Sequence, residues 1–174
     1  MLEKIVSGGQ TGVDRAALDA AIDLSIPYGG WCPKGRIDEL GNIPNKYDQL
    51  IEICIEDCSA MKNYNTRTIL NIQDSDGTLV FVPVIPLPDQ IIDGTRLTID
   101  EVSKQKKPYL IISLSSTSQD NLLKCTEWIK EHNISTLNVA GPRESSSTGI
   151  YTATYNFLLD LLPELLSINT LCIH

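Results

Sequence analysis

Ile5-Val6-Ser7-Gly8-Gly9-Gln10-Thr11-Gly12-Val13-Asp14-Arg15-Ala16-Ala17-Leu18-Asp19 passes from an apolar lead through two adjacent glycines into a segment where Val13, Ala16, Ala17, Ala20, Ala21 and Leu24 recur at helical spacing. That is the pattern of a strand, a tight turn and a helix. Glycines let the chain bend with positive φ and bring its amides close to a ligand, and the free N–H groups and dipole of a helix start favour negative charge. Gly8, Gly9, Gln10, Thr11 and Gly12 are therefore a candidate anion-binding turn. Thr11 is expected to cap the helix with Asp14 as its capping-box partner, and Arg15 lies in the first turn, within reach of a phosphate oxygen. The same residues also suit a plain glycine-rich connection, because short glycine motifs recur without any ligand.

The chain has 174 residues, 42% of them hydrophobic, which is enough for one core and predicts a single domain over 1–174. A formal net charge of -8 excludes the broad basic face that nucleic acid or an anionic membrane requires, so an anionic ligand must be gripped locally. No apolar run is long enough to span a bilayer. Cys32, Cys54, Cys58, Cys125 and Cys172 are odd in number and scattered, and no signal-like run stands ahead of them, which predicts reduced thiols in the cytoplasm. Cys54 and Cys58 can share a helix face, but nothing near them completes a zinc set, and no protein-ligated metal is expected. With only His132 and His174 available, a histidine-centred metal site or a Ser-His-Asp triad has little support, and His132 beside Asn133 is expected to end a helix.

Further on, Gly29-Gly30-Trp31-Cys32-Pro33-Lys34-Gly35-Arg36 forms a second candidate loop. Lys34 and Arg36 bring positive charge beside Gly35, while Trp31 suits either stacking on a ligand ring or anchoring the core. The signals from Ile37 to Lys62 are weak, and Ile51 to Cys58 reads as a short strand or a helix. A short helix is expected over Tyr64–Ile72, then a polar turn Asp74-Ser75-Asp76-Gly77-Thr78 and a doubly covered strand Leu79–Val82. Pro83, Pro86 and Pro88 make Val84 to Asp93 look like a local insertion. Asp93-Gly94-Thr95 opens another helix that ends in Lys104, Lys106 and Lys107, where cations suit the dipole. Strands at Tyr109–Leu114 and Thr136–Ala140, a helix around Leu122–Ile129, the loop Gly141 to Gly149, a helix from Ile150 through Leu162 and an apolar tail Leu165–His174 complete the chain. The repeated order of strand, glycine loop and helix predicts an α/β fold: a Rossmann-like parallel sheet with helices on both faces and ligands at the carboxyl ends of the strands.

The five arginines, Arg15, Arg36, Arg67, Arg96 and Arg143, all fall in or beside predicted loops and helix starts, whereas the lysines are spread along helices and chain ends. Arginine suits bidentate recognition of phosphate or carboxylate, so this segregation favours one anionic site built from several loops. Salt bridges to some of the 22 acidic residues are the competing explanation. Asp74 and Asp76 are able to bind Mg²⁺ or ligand hydroxyls, though Asp-Ser-Asp-Gly is also ordinary turn chemistry. Asp76 and Glu144 are the candidate catalytic carboxylates, and Glu144 equally suits neutralising Arg143.

Ser7 to Asp19, Gly29 to Arg36, Arg67-Thr68, Asp74 to Thr78, Gly94-Thr95 with Thr98, and Asn138-Val139-Ala140-Gly141-Pro142-Arg143-Glu144-Ser145 together resemble the molybdenum (molybdopterin) cofactor carrier family over about Ile5 to Leu159. The resemblance implies a Rossmann-like domain related to the lysine-decarboxylase-like LOG proteins. It also implies a homo-oligomer, dimer or tetramer, that binds a phosphorylated pterin or a nucleotide-like ligand. LOG-type phosphoribohydrolases carry Pro-Gly-Gly-x-Gly-Thr-x-x-Glu; here Thr98 stands where the glutamate would, and Asp93 replaces a glycine of the carrier family's Gly-Gly-Thr. The first reading is thus a non-catalytic carrier, with phosphate on the Gly8–Gly12 turn, Arg15 and Arg143, and the ring held by the Gly29–Arg36 and Asp74–Thr78 loops. An N-glycosidic hydrolase using Asp76 or Glu144 and a nucleotide-sensing module are the alternatives.

Overall fold

A computed structural model describes residues 1–53, 60–88, 94–115 and 118–167. Their elements are β1 (Lys4–Val6), α1 (Val13–Asp23), β2 (Tyr28–Cys32), β3 (Ile37–Asp38), β4 (Gly41–Asn42), β5 (Leu50–Glu52), α2 (Ala60–Gln73), β6 (Gly77–Val82), α3 (Gly94–Gln105), β7 (Tyr109–Ser113), α4 (Ser118–Glu131), β8 (Thr136–Ala140) and α5 (Ile150–Ser167). Six strands form one sheet in the order β5-β2-β1-β8-β6-β7, and every neighbouring pair is parallel. The fold is a single Rossmann-like α/β domain.

Parallel neighbours joined by right-handed crossovers fix which face each helix covers. The connections through α1 and α4 run toward one edge of the sheet and those through α2 and α3 toward the other, so the two pairs lie on opposite faces. In keeping with this, α5 packs on α1 and α4, and α2 packs on α3. The main core lies under the first group, where Ala17, Ala20 and Ala21 of α1 leave room for Phe157, Leu158 and Leu161 of α5. Phe157 meets Phe81 edge to face with ring centroids 5.3 Å apart. All six residues of β6 are buried, as a continuous apolar run in a covered strand requires.

The strand β8 sits between β1 and β6, and Asn138 lies opposite both Val6 and Thr78. At the carboxyl ends of β1 and β6, the neighbours of β8, the chain departs to opposite faces through α1 and α3, which opens the crevice where doubly wound sheets hold ligands. Two glycines let the walls close there. A Cβ on Gly12 (φ 72°) would lie 2.5 Å from the Pro142 carbonyl, and one on Gly141 would lie 2.5 Å from the Phe81 carbonyl.

Several expectations change. Gly12, not Thr11, is the N-cap of α1, because the Thr11 hydroxyl donates to Glu39 instead. The helix α2 begins at Ala60 and α5 runs on through Pro163 to Ser167. Lys107 serves a different helix from the one it follows: its ammonium donates to the carbonyls of Ile72 (2.9 Å), Gln73 (2.5 Å) and Ser75 (2.6 Å) at the end of α2. His132 does end α4, its amide donating to the Trp128 carbonyl at 3.1 Å. Cys54, Cys58, Asp93, Cys172 and most of the Leu165–His174 tail lie outside the described residues.

Candidate functional site

A cavity of about 600 Å³ opens at the carboxyl ends of β1 and β8, at the switch point between β1 and β6, beside the first turns of α3 and Arg67 and Asn71 of α2. Gly8 and Gln10 reach it from the first turn, Arg67 and Asn71 from α2, and Gly94, Arg96, Thr98 and Asp100 from α3. Asn138 to Gly141 and Arg143 close it from the β8 side. Three of the five arginines therefore line one cavity, together with Gly94, the first described residue of the twelve-residue α3. Positive charge, a helix start and open volume together suit an anion.

Arg67 is fixed by an ion pair. Its Nη1 lies 2.6 Å from Asp14 Oδ2, and both side chains are largely buried, 12% and 7% exposed. Asp14 Oδ2 also accepts the Gln10 amide at 3.2 Å. Arg143 holds its Nε 3.9 Å from Glu39. Thr98 donates its hydroxyl to the Gly94 carbonyl at 2.8 Å, and Thr95 is fully buried beneath the helix start.

The first turn itself contributes less than its glycines promise. The Thr11 amide is taken by the Gln10 side chain at 3.0 Å and the Val13 amide by the Pro142 carbonyl at 3.2 Å. Gly9 faces Leu50 and Ile43 in the smaller core cluster. Protein acceptors thus already engage the amides of Gln10, Thr11 and Val13 in and beside this turn.

Other expected ligand groups are committed elsewhere. Arg15 pairs with Asp38, whose side chain is fully buried. Arg36 donates to the carbonyls of Leu50 (3.1 Å) and Tyr47 (2.9 Å), and Gly35 donates to Glu52 at 2.7 Å. Lys34 is exposed to solvent. The half-buried Trp31 gives its indole N–H to Asp74 at 2.7 Å, and its backbone is bracketed by the Asn71 carboxamide. The residues of the Gly29–Arg36 loop, expected to hold a ring, are not among those lining the cavity and serve the β2–β5 connection.

The Asp74–Thr78 turn is on the wrong end of the sheet. Asp76 accepts the amides of Ser135 (3.0 Å) and Thr136 (2.7 Å), where β8 begins, roughly 7 Å along that strand before the first cavity residue, Asn138. Ser75 is buried against the Ile72 carbonyl, and Gly77 and Thr78 are buried in β6. Glu144 faces away as well, since its carboxylate accepts the amides of Gly149 and Tyr151 at the start of α5. Neither candidate catalytic carboxylate points into the cavity.

Glu39 links three loops. It accepts from the hydroxyls of Thr11 and Ser145, and its amide donates to Gln10 Oε1 at 3.1 Å. Burial raises its pKa, but the hydrogen bonds from Ser145 and Thr11 and the charge of Arg143 outweigh that and hold it below the ordinary glutamate value. Asn65, Asn71, Leu97, Asp100 and Asn138 are cavity residues that sequence reasoning missed. The spacing of Arg96 and Asp100, four apart on one helix face, was the signal available. Among the described residues, no group of three or more His, Cys, Asp or Glu side chains is arranged to hold a metal ion, and no helix is long and apolar enough to cross a membrane.

A switch-point crevice edged by arginines in a doubly wound sheet defines an α/β ligand-binding protein. The chain belongs to the circularly permutated YpsA SLOG family, whose model matches residues 5–162. It is also similar, with 43% identity and a TM-score of 0.80, to a solved structure from Syntrophus aciditrophicus SB that bears the name "Putative molybdenum carrier protein"; the match covers 92% of this chain and 94% of that one. No curated protein gives a significant match.

Proposed function

We propose that the protein binds a phosphorylated small molecule with a flat ring system, a phosphorylated pterin such as the molybdenum cofactor or a nucleotide, and holds it without chemical turnover. The observation that carries this reading is the gathering of Arg67, Arg96 and Arg143 with Gly8 and the start of α3 around one crevice. In an acidic chain, such a local concentration of guanidinium groups is what retains a phosphate. The crevice is within the usual size of small-molecule sites. The carrier name of the solved relative supports the same reading. The cargo's molybdenum would be held by its own pterin, with the protein contacting the organic part and the phosphate. The reading also takes the protein to be cytoplasmic and to act as a homo-oligomer of two or four copies.

Isothermal titration of the full chain with molybdenum cofactor and with nucleoside monophosphates tests it. Binding is expected, with Arg96→Ala and Arg143→Ala each weakening it about tenfold, the loss of one charged hydrogen bond. No binding by any phosphorylated ligand removes the reading. Native mass spectrometry of the purified protein gives the copy number and the mass of any molecule that travels with it.

A further inference from the structure

The crevice has a second pole, opposite in charge to the first. Asp100 follows Arg96 by four residues on α3, so both side chains leave the same helix face, about 6 Å apart along the axis, and both line the cavity. The other carboxylate there, Asp14, is taken up by Arg67 and the Gln10 amide. Asp100 receives no hydrogen bond or ion pair within the described residues. The neutral amides of Asn65 and Asn138 and the apolar side chains of Leu97 and Val139 complete the lining.

An unshared carboxylate in a site whose other carboxylate, Asp14, is paired with Arg67 selects for donors. Ionised, it only accepts, and it accepts best from two parallel N–H groups. We propose that Asp100 reads the ring of the ligand, and that the preferred ring is the 2-amino-4-oxopyrimidine shared by pterins and guanine. That ring sets a ring N–H beside an exocyclic amine, which matches both carboxylate oxygens. Hypoxanthine keeps the ring N–H but lacks the amine. Adenine presents a ring nitrogen lone pair beside its amine, so one carboxylate oxygen would face an acceptor. A site built to accept a hydrogen bond rejects analogues that lack the donor more strongly than an apolar pocket rejects a change of shape. The same charge fixes the ligand's direction, because a phosphate is repelled from Asp100 and drawn to the arginines. This inference rests on the anion-site reading above, and its test separates the two.

The full chain is titrated with GMP, IMP, AMP and inorganic phosphate in the presence of EDTA. GMP is expected to bind at least about tenfold more tightly than IMP or AMP, the effect of one lost charged hydrogen bond. Asp100→Asn, a change at an exposed side chain, is expected to weaken GMP about tenfold and abolish its preference over AMP, because a carboxamide accepts from only one of guanine's two donors and matches adenine's amine beside its ring nitrogen instead. Equal affinity for the three nucleotides, or a GMP preference that survives in Asp100→Asn, overturns the inference and leaves the anion site standing. GMP binding that requires Mg²⁺ also overturns it, because Asp100 would then act on a metal. If neither phosphate nor any nucleotide binds, this inference falls, and the anion-site reading falls with it only when molybdenum cofactor fails to bind as well.

Discussion

The guanidinium of Arg67 lies directly over Gly8, its Nη1 2.6 Å from Asp14 Oδ2. A Cβ on Gly8 would fall on that nitrogen, well inside van der Waals contact. The first glycine of the turn is thus required for the passage of a side chain from another helix, and the amide it was expected to offer a ligand is secondary. Gly8→Ala is expected to expel Arg67 from its pair, costing about 2 kcal/mol of stability and most ligand affinity. Urea denaturation and titration calorimetry on the same preparation check both.

Arg67→Ala removes the partner and leaves the Asp14 carboxylate buried with one backbone donor. Stranding a largely buried charge costs about 3 kcal/mol. Replacing both partners, as Arg67→Met with Asp14→Asn, is expected to recover part of that stability and none of the binding. Recovery of binding in the double variant would show that Arg67 acts only as structure.

Asp76 and Glu144 give the opposite expectation. Each accepts two backbone amides far from or facing away from the cavity. Asp76→Ala and Glu144→Ala are expected to lower stability by about 1–2 kcal/mol each, through an unsatisfied strand start and a lost helix cap. Ligand affinity in both variants is expected to stay within about twofold of the parent. A Glu144→Ala protein that loses binding while keeping its helix content would reverse our placement of this residue.

The pH dependence follows from Glu39. Its pKa is lowered in the folded chain, so the stability it contributes is fully present above the unfolded glutamate value and is lost as pH falls through the folded value. The contacts to Thr11 and Ser145 are expected to loosen on that descent. Urea midpoints measured from neutral pH down through the carboxylate range should fall less in Glu39→Gln than in the parent, since the variant has already lost the charge.

Lys107→Ala withdraws a cation from three carbonyls that end α2. About 1–2 kcal/mol is expected to be lost, with hydrogen exchange accelerated in the last turn of α2 before any other helix.

The alternation of strand and helix was readable because each element carries its own period: β6 is apolar throughout, and the alanines of α1 recur on one face. The hairpin β3–β4 was not readable. Its strands are two residues each, and Asp38 and Glu39 hold it through Arg15, Thr11 and Ser145, contacts distant in sequence. The Asp74–Thr78 turn was misplaced for a simpler reason. In a parallel sheet a loop that precedes its strand lies at the amino end, and a loop that follows one lies at the carboxyl end with the ligand. Gly8 and Gly141 follow strands; Asp76 precedes one. Applied to the predicted strands, that rule places Asp76 at the end of the sheet opposite the site. Arg15 and Arg36 show the limit of counting charges, because which guanidinium meets a carboxylate or a carbonyl is decided by packing.

The position of β8 has a consequence for biogenesis. During synthesis, β1 and β2 emerge early and β6 and β7 later, but the two groups have no shared edge until Thr136–Ala140 slides between them. A nascent chain halted before Thr136 lacks the floor of the crevice and has two exposed strand edges, so ligand capture must await nearly complete translation.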